Sequence, residues 1–244
     1  VTDTAPDQPA RPPDPLIASR SVRRKLVSIE AAAIAGIVCA IGWSLALRGL
    51  LAAPGIGASN EEVFIYYSDR SNGTAALIWL QVLVVASIAF LWFVGVVRGR
   101  IGDREPRLFG TVFFGSSVLL AALLFVGTAL LAAPAMLLTV GDTIPSPDAV
   151  ALTRSSAAIV LSVFAPRIAT LLMFSTASLG RATGALPQWL IWVTYVVGVF
   201  EFVNVSIDTP TVYTVPLWIA VVSVVLLVRR PPQGFDLVPA PSTN

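Results

Sequence analysis

The chain has 244 residues, of which 56% are hydrophobic and only 12% charged, with a mean hydropathy of +0.81 and a formal net charge of +2. Soluble domains carry about 25% charged residues, so this composition excludes a water-soluble enzyme, a disordered chain and a nucleic-acid-binding module. Histidine is absent and Cys39 is the only cysteine, which removes the commonest general base and metal ligand and any intrachain disulfide.

The first 25 residues read as a disordered, Pro-rich cytoplasmic tail, since positions 1–20 hold five prolines and few large apolar residues. The basic cluster Arg20, Arg23, Arg24, Lys25 reads as the stop before a first membrane span. A twin-arginine export signal fits less well, because Glu30 interrupts the apolar run and no cleavage site is clear. Six apolar segments follow, within a transmembrane domain over 26–230: 27–47, 75–97, 108–132, 157–178, 186–205 and 211–228. The third lies in a run of 34 uncharged residues, Leu108–Gly141. A helix of that length would rise about 51 Å against a hydrocarbon core of about 30 Å, so the span is ended near Ala132, with Pro134 marking the exit. Residues 231–244 read as a second disordered cytoplasmic tail.

Charge sets the orientation. With the N-terminus inside, the inner segments carry twelve cations: Arg11, Arg20, Arg23, Arg24, Lys25, Arg98, Arg100, Arg104, Arg107, Arg181, Arg229 and Arg230. The outer loops carry three, Arg48, Arg70 and Arg154. Cytoplasmic loops are enriched in Lys and Arg, and five or seven spans would destroy this alternation. The fold class expected is therefore all-α, a polytopic transmembrane bundle of six helices with both termini in the cytoplasm. The chain is placed in a bacterial inner (plasma) membrane as a multi-pass protein.

The outer loop 48–74 is the long one. Ser59 and Glu62 have the spacing of a capping box, and Val63, Phe64 and Tyr67 would share one helical side. The segment reads as a short helix on the outer membrane surface, or as an ordered loop anchoring the second span with Tyr66 and Tyr67 at headgroup level. Asp142, Asp148 and Asp208 fall in outer loops as solvated acids. A weak echo relates Ile88-Ala89-Phe90-Leu91 to Ile168-Ala169-Thr170-Leu171, each followed by an Arg-bearing turn and a proline. It fits a duplicated hairpin or chance similarity between apolar segments.

Phe90-Leu91-Trp92-Phe93 with Arg98 and Arg100, and Thr176-Ala177-Ser178-Leu179-Gly180-Arg181 followed by Leu186-Pro187-Gln188-Trp189-Leu190, carry a resemblance. Over residues 30–228 the chain resembles six-helix actinobacterial membrane proteins close to the DUF4386 type. The resemblance implies six helices and a bacterial inner membrane, and no activity or site residue.

Charges inside a membrane are costly, and each is a functional candidate. Two fall well within spans: Arg167 in the fourth and Glu201 in the fifth. These spans are joined by a tight turn, and the depths allow Arg167 and Glu201 to pair. Pro166 should free a carbonyl one turn earlier, near Ser162. Thr170, Tyr195 and Asn204 are the expected pocket neighbours. The alternative is a buried pair that only fixes helix register. Glu30 is expected to snorkel toward the basic cluster, and Gln81 and Ser87 to act as interhelical glue.

No catalytic triad, His-based metal motif or phosphate-binding loop is present in the sequence. The function expected is a non-enzymatic accessory or structural role. The alternatives are a small transporter or permease using the Arg167–Glu201 region, and an intramembrane enzyme acting on lipid. No cofactor or metal is expected. The partners expected are the lipid bilayer and either another membrane protein or a second copy of the chain.

Overall fold

The computed structural model describes residues 15–101, 107–184, 186–204 and 211–228. The expectations for residues 1–14, Arg104, Asp208 and the segment after 228 lie outside the described residues, as do the side chains of Arg20, Arg23, Arg24, Lys25 and Glu30. Eight α-helices form among the described residues: α1 Pro15–Leu51, α2 Asn60–Ser68, α3 Arg70–Ile101, α4 Arg107–Thr139, α5 Pro147–Ile159, α6 Ala165–Thr183, α7 Gln188–Val203 and α8 Thr214–Val228. A π-helical turn, Val160–Phe164, joins α5 and α6 into one column, and a 3-10 turn, Thr211–Tyr213, leads into α8. No strand occurs among the described residues.

Five helical segments are long and apolar enough to cross a membrane: Ala33–Leu51, Arg70–Arg98, Leu108–Thr139, Pro147–Thr183 and Thr211–Val228. Helix α7 is equally apolar but has 16 residues, about 24 Å of rise, where a span usually takes about 20. Large apolar side chains stand exposed along every one of these helices, among them Ile41, Val85, Trp92, Val126, Leu171, Val196 and Leu217. Water-soluble surfaces do not carry apolar faces of this extent, whereas in hydrocarbon such faces carry no penalty. The satisfied helical backbone completes what a bilayer demands. The chain is an integral, multi-pass membrane protein.

Helix α1 packs between α3 and α8, α3 against α4, α4 against the α5–α6 column, and α6 against α7. One core runs through α1, α3, α4, α6, α7 and α8, around Trp43, Phe90, Leu120, Met173, Leu190 and Ile219. Trp43 and Phe90 meet at 4.8 Å between ring centroids. The α1–α3 seam depends on missing side chains. A Cβ on Gly42 would lie 2.6 Å from the Ala86 Cβ, and one on Gly49 would lie 2.3 Å from the Trp79 ring. These glycines stand one heptad apart, the repeat that keeps a seam facing its partner, and small residues let helices approach in lipid. Four interior hydroxyls are bound to their own helices: Ser87 donates to Leu83 O, Ser117 to Phe113 O, Thr128 to Leu124 O and Thr176 to Leu172 O; Thr194 instead accepts from Trp218 Nε1 of α8 at 3.0 Å, and Ser223 Oγ is buried without a partner. Ser87 also accepts from Trp43 Nε1 at 3.0 Å, the glue expected of it, whereas Gln81 stands exposed on α3.

Several helices run past the expected span limits. Helix α1 begins at Pro15, so residues 15–25 are helical where a disordered tail was expected. Helix α4 continues through Pro134 to Thr139, and the α5–α6 column begins at Pro147 instead of 157. The column's 37 residues rise about 55 Å, more than a bilayer core. Bilayer thickness and charge limit the apolar stretch, but they do not limit the helix where its end has something to pack on. Here the projecting ends support α2. Val63 and Tyr67 of α2, Leu138 of α4 and Val150 of α5 form a separate small core, a cap on one end of the bundle. Pro134 forfeits one helical hydrogen bond, and α4 continues because Leu138, a turn later, is buried beneath α2.

The capping box at α2 is formed: Ser59 N–H donates to Glu62 Oε2 at 2.7 Å and Glu62 N–H to Ser59 Oγ at 3.2 Å. The expected common face divides, because Val63 and Tyr67 are buried while Phe64 is 59% exposed. Arg70 Nη1 donates to Asp142 Oδ1 at 2.9 Å, tying the start of α3 to the end of α4. Asn72 Nδ2 donates to Tyr66 O at 2.8 Å.

Candidate functional site

Glu201 lies in the last turn of α7, where helices ordinarily carry cations. It is only 3% exposed. Thr214, at the start of α8, hydrogen-bonds the carboxyl group, but Oε1 is buried without a hydrogen-bond partner. The carboxyl lines a cavity of about 50 Å³ bounded by Trp43 and Leu47 of α1, Leu124 of α4, Leu161 of the π-helical turn, Pro166 of α6, and Thr211 and Val215 near the α8 start. A water molecule needs about 10–15 Å³ measured this way, so the cavity has room for a few.

Arg167 is adjacent but does not pair with Glu201. Among the described residues the ion pair formed is Arg70–Asp142. The Arg167 Nη1 donates instead to the carbonyls of Ser162 and Val163, at 2.9 Å each. The cause is local. Pro166 has no amide hydrogen, so the Ser162 carbonyl loses its partner four residues on, and the π-helical turn Val160–Phe164 absorbs the break, with the Ala165 amide reaching back to Val160 O. Helical side chains lean toward the N-terminus of their own helix, which brings the guanidinium back over the freed Ser162 carbonyl and the Val163 carbonyl beside it. The direct pair allowed by depth is replaced by a repair within one helix.

The other expected neighbours separate. Pro166 shares the cavity with Glu201. Thr170 Oγ1 donates to Pro166 O at 3.0 Å and is 2.9 Å from Gly198 O, fastening α6 to α7. The Tyr195 hydroxyl bonds Ser178 at 3.0 Å, about 9 Å along α7 from Glu201. Asn204 follows α7 as its C-cap and donates its amide to Phe200 O. Thr170 and Tyr195 therefore act as interhelical fasteners, and neither lines the cavity.

Arg154 was missed by the sequence reading, which placed it in an outer loop. It lies within α5, 6% exposed. Its Nη2 donates to the carbonyl of Ala53, while Nε has no partner. The signal that locates it is Ser146-Pro147-Asp148, an N-cap, a proline at the first helical position and an acid in the first turn. That start puts Arg154 two turns inside a helix. Its neighbours in the cap are Tyr66 and Tyr67. Burial pushes the Tyr67 phenol up to about 12, with the Arg154 charge opposing and Tyr66 adding to the shift. Ser71 bonds to Asp69 and holds its carboxyl below the usual range.

Among the described residues no group of three or more His, Cys, Asp or Glu side chains is placed to hold a metal ion. Comparison with protein-family models, with curated proteins and with solved structures finds no match to this chain. The roles of Glu201, Arg167 and Arg154 therefore rest on their geometry.

Proposed function

We propose that this protein is a non-enzymatic accessory or structural component of a bacterial inner membrane. It crosses the bilayer six times, with α7 as a short sixth pass, both termini in the cytoplasm and the cap outside. The observation that carries the role is the filled interior. Six helices close on one core, the hydroxyls of Ser87, Ser117, Thr128 and Thr176 are committed to neighbouring carbonyls, and the cavity beside Glu201 holds about 50 Å³, far short of a solute path. The sixth pass is supported by α6–α7 fastening at Thr170–Gly198 and Ser178–Tyr195. The orientation is supported by the twelve-to-three division of cations between alternate loops. The partners are the lipid and either another membrane protein or a second copy of the chain. A second reading, a small transporter working through the Glu201 region, is favoured by the unpartnered Oε1.

Reconstitution in liposomes separates the two. The accessory role predicts no flux of protons or small solutes above that of empty vesicles, together with a discrete adduct on crosslinking in native membranes. A flux that Glu201→Gln abolishes would overturn it in favour of the transporter.

A further inference from the structure

We propose that Glu201 is a proton-binding site, a carboxyl group inside the bundle that takes up and releases a proton by way of the water-sized cavity beside it. The inference goes beyond the accessory role and stands whether or not any solute crosses the membrane. Its first support is the unmet oxygen. Buried polar groups are nearly always bonded to protein or to water, and an oxygen with no protein partner beside a water-sized cavity leaves water as the group that can carry its proton. Glu201 has Thr214 on its carboxyl group, and Oε1 is left without a partner.

The second support is the cavity onto which the carboxyl opens. At about 50 Å³ it admits water and nothing much larger. Its walls are largely apolar, with Leu47, Leu124, Leu161 and Val215 around the carboxyl, so it lacks the oxygen ligands that a metal cation needs. The proton is the ligand that matches both the size and the single donor–acceptor group.

The surrounding charges leave that role open. From α6, the half-buried Arg167 has Nη1 engaged by the Ser162 and Val163 carbonyls. From α1, the Trp43 Nε1 is committed to Ser87, and α4 presents only leucines to the cavity. From the α8 side come the hydroxyl-bearing residues Thr211 and Thr214. No charged group among the described residues forms an ion pair with the carboxyl.

Infrared difference spectroscopy over a pH series tests this on the full-length chain in lipid vesicles, since only water and protons need to reach the cavity. The expected result is a carboxylic-acid C=O band that grows as pH is lowered while a carboxylate band declines, that shifts in heavy water and is lost in Glu201→Gln. Glu61→Gln and Asp148→Asn, at exposed cap acids, should leave that band in place. Glu201→Asp keeps a carboxyl at the site and should move the band without removing it, which serves where Glu201→Gln does not fold. A difference spectrum left unchanged in both Glu201 variants would overturn the proposal, and so would a Glu201 band that does not change with pH. A liposome flux result bears on the transporter reading alone.

Discussion

Arg167→Met isolates the repair of the α5–α6 column. The substitution removes the donor held 2.9 Å from both the Ser162 and the Val163 carbonyl. A buried carbonyl left without a partner costs about 1–3 kcal/mol. Arg167 is only half-buried, so water reaches part of the site and the expected loss is about 1–2 kcal/mol. The cause is the missing amide hydrogen of Pro166, and this makes the prediction specific. Pro166→Ala supplies an N–H four residues after Ser162, the normal helical partner. In the Arg167→Met background it should therefore restore most of the lost stability, a coupling of about 1 kcal/mol or more. Reversible unfolding in mixed detergent micelles, followed by tryptophan fluorescence, measures all four members of the cycle. Additivity within about 0.5 kcal/mol would show that Arg167 does not serve the Ser162 carbonyl freed by Pro166.

Other outcomes follow from the packing and from the cap. Gly42→Val pushes a side chain into Ala86, whose Cβ is 2.6 Å from the position of the new Cβ, and should cost about 1–3 kcal/mol. Ala86→Gly in the same chain should recover part of that in the same unfolding assay. The Tyr67 phenol is raised by burial to about 12 from an unfolded value of about 10, so the folded cap holds this proton more tightly. Its contribution is complete below about pH 10 and is lost as pH rises through about 12. Alkaline titration followed by tyrosinate absorbance should show a phenol ionising only at about 12, and Tyr67→Phe should remove that late component while leaving the raised Tyr66 phenol in place.

The membrane class and the helix axes were legible because apolar length and charge placement act directly on them. Helix ends were less so. Bilayer thickness ends the third span near Ala132 and the fourth is expected from Ala157, yet α4 runs on and α5 starts earlier because Leu138 and Val150 pack under Val63 and Tyr67. That contact joins residues more than seventy positions apart, and no local pattern reports it. Ser59 and Glu62 were readable since a capping box is local, and so was the carbonyl freed at Ser162. What answers that carbonyl was not readable. Depth alone allowed Arg167 to reach Glu201, and only the side-chain direction on α6 shows it turning back to Ser162. The lack of an ion pair at Glu201 among the described residues follows from the same turn.

Membrane topology tests the central claim most directly. With Cys39 replaced by serine, single cysteines at Glu61, Gly102 and Ser242 can be probed in intact cells with a membrane-impermeant maleimide. The six-pass bundle predicts that Glu61→Cys in the cap is labelled from outside, and that Gly102→Cys and Ser242→Cys are labelled only after permeabilisation. Labelling of Gly102→Cys or Ser242→Cys in intact cells would contradict it.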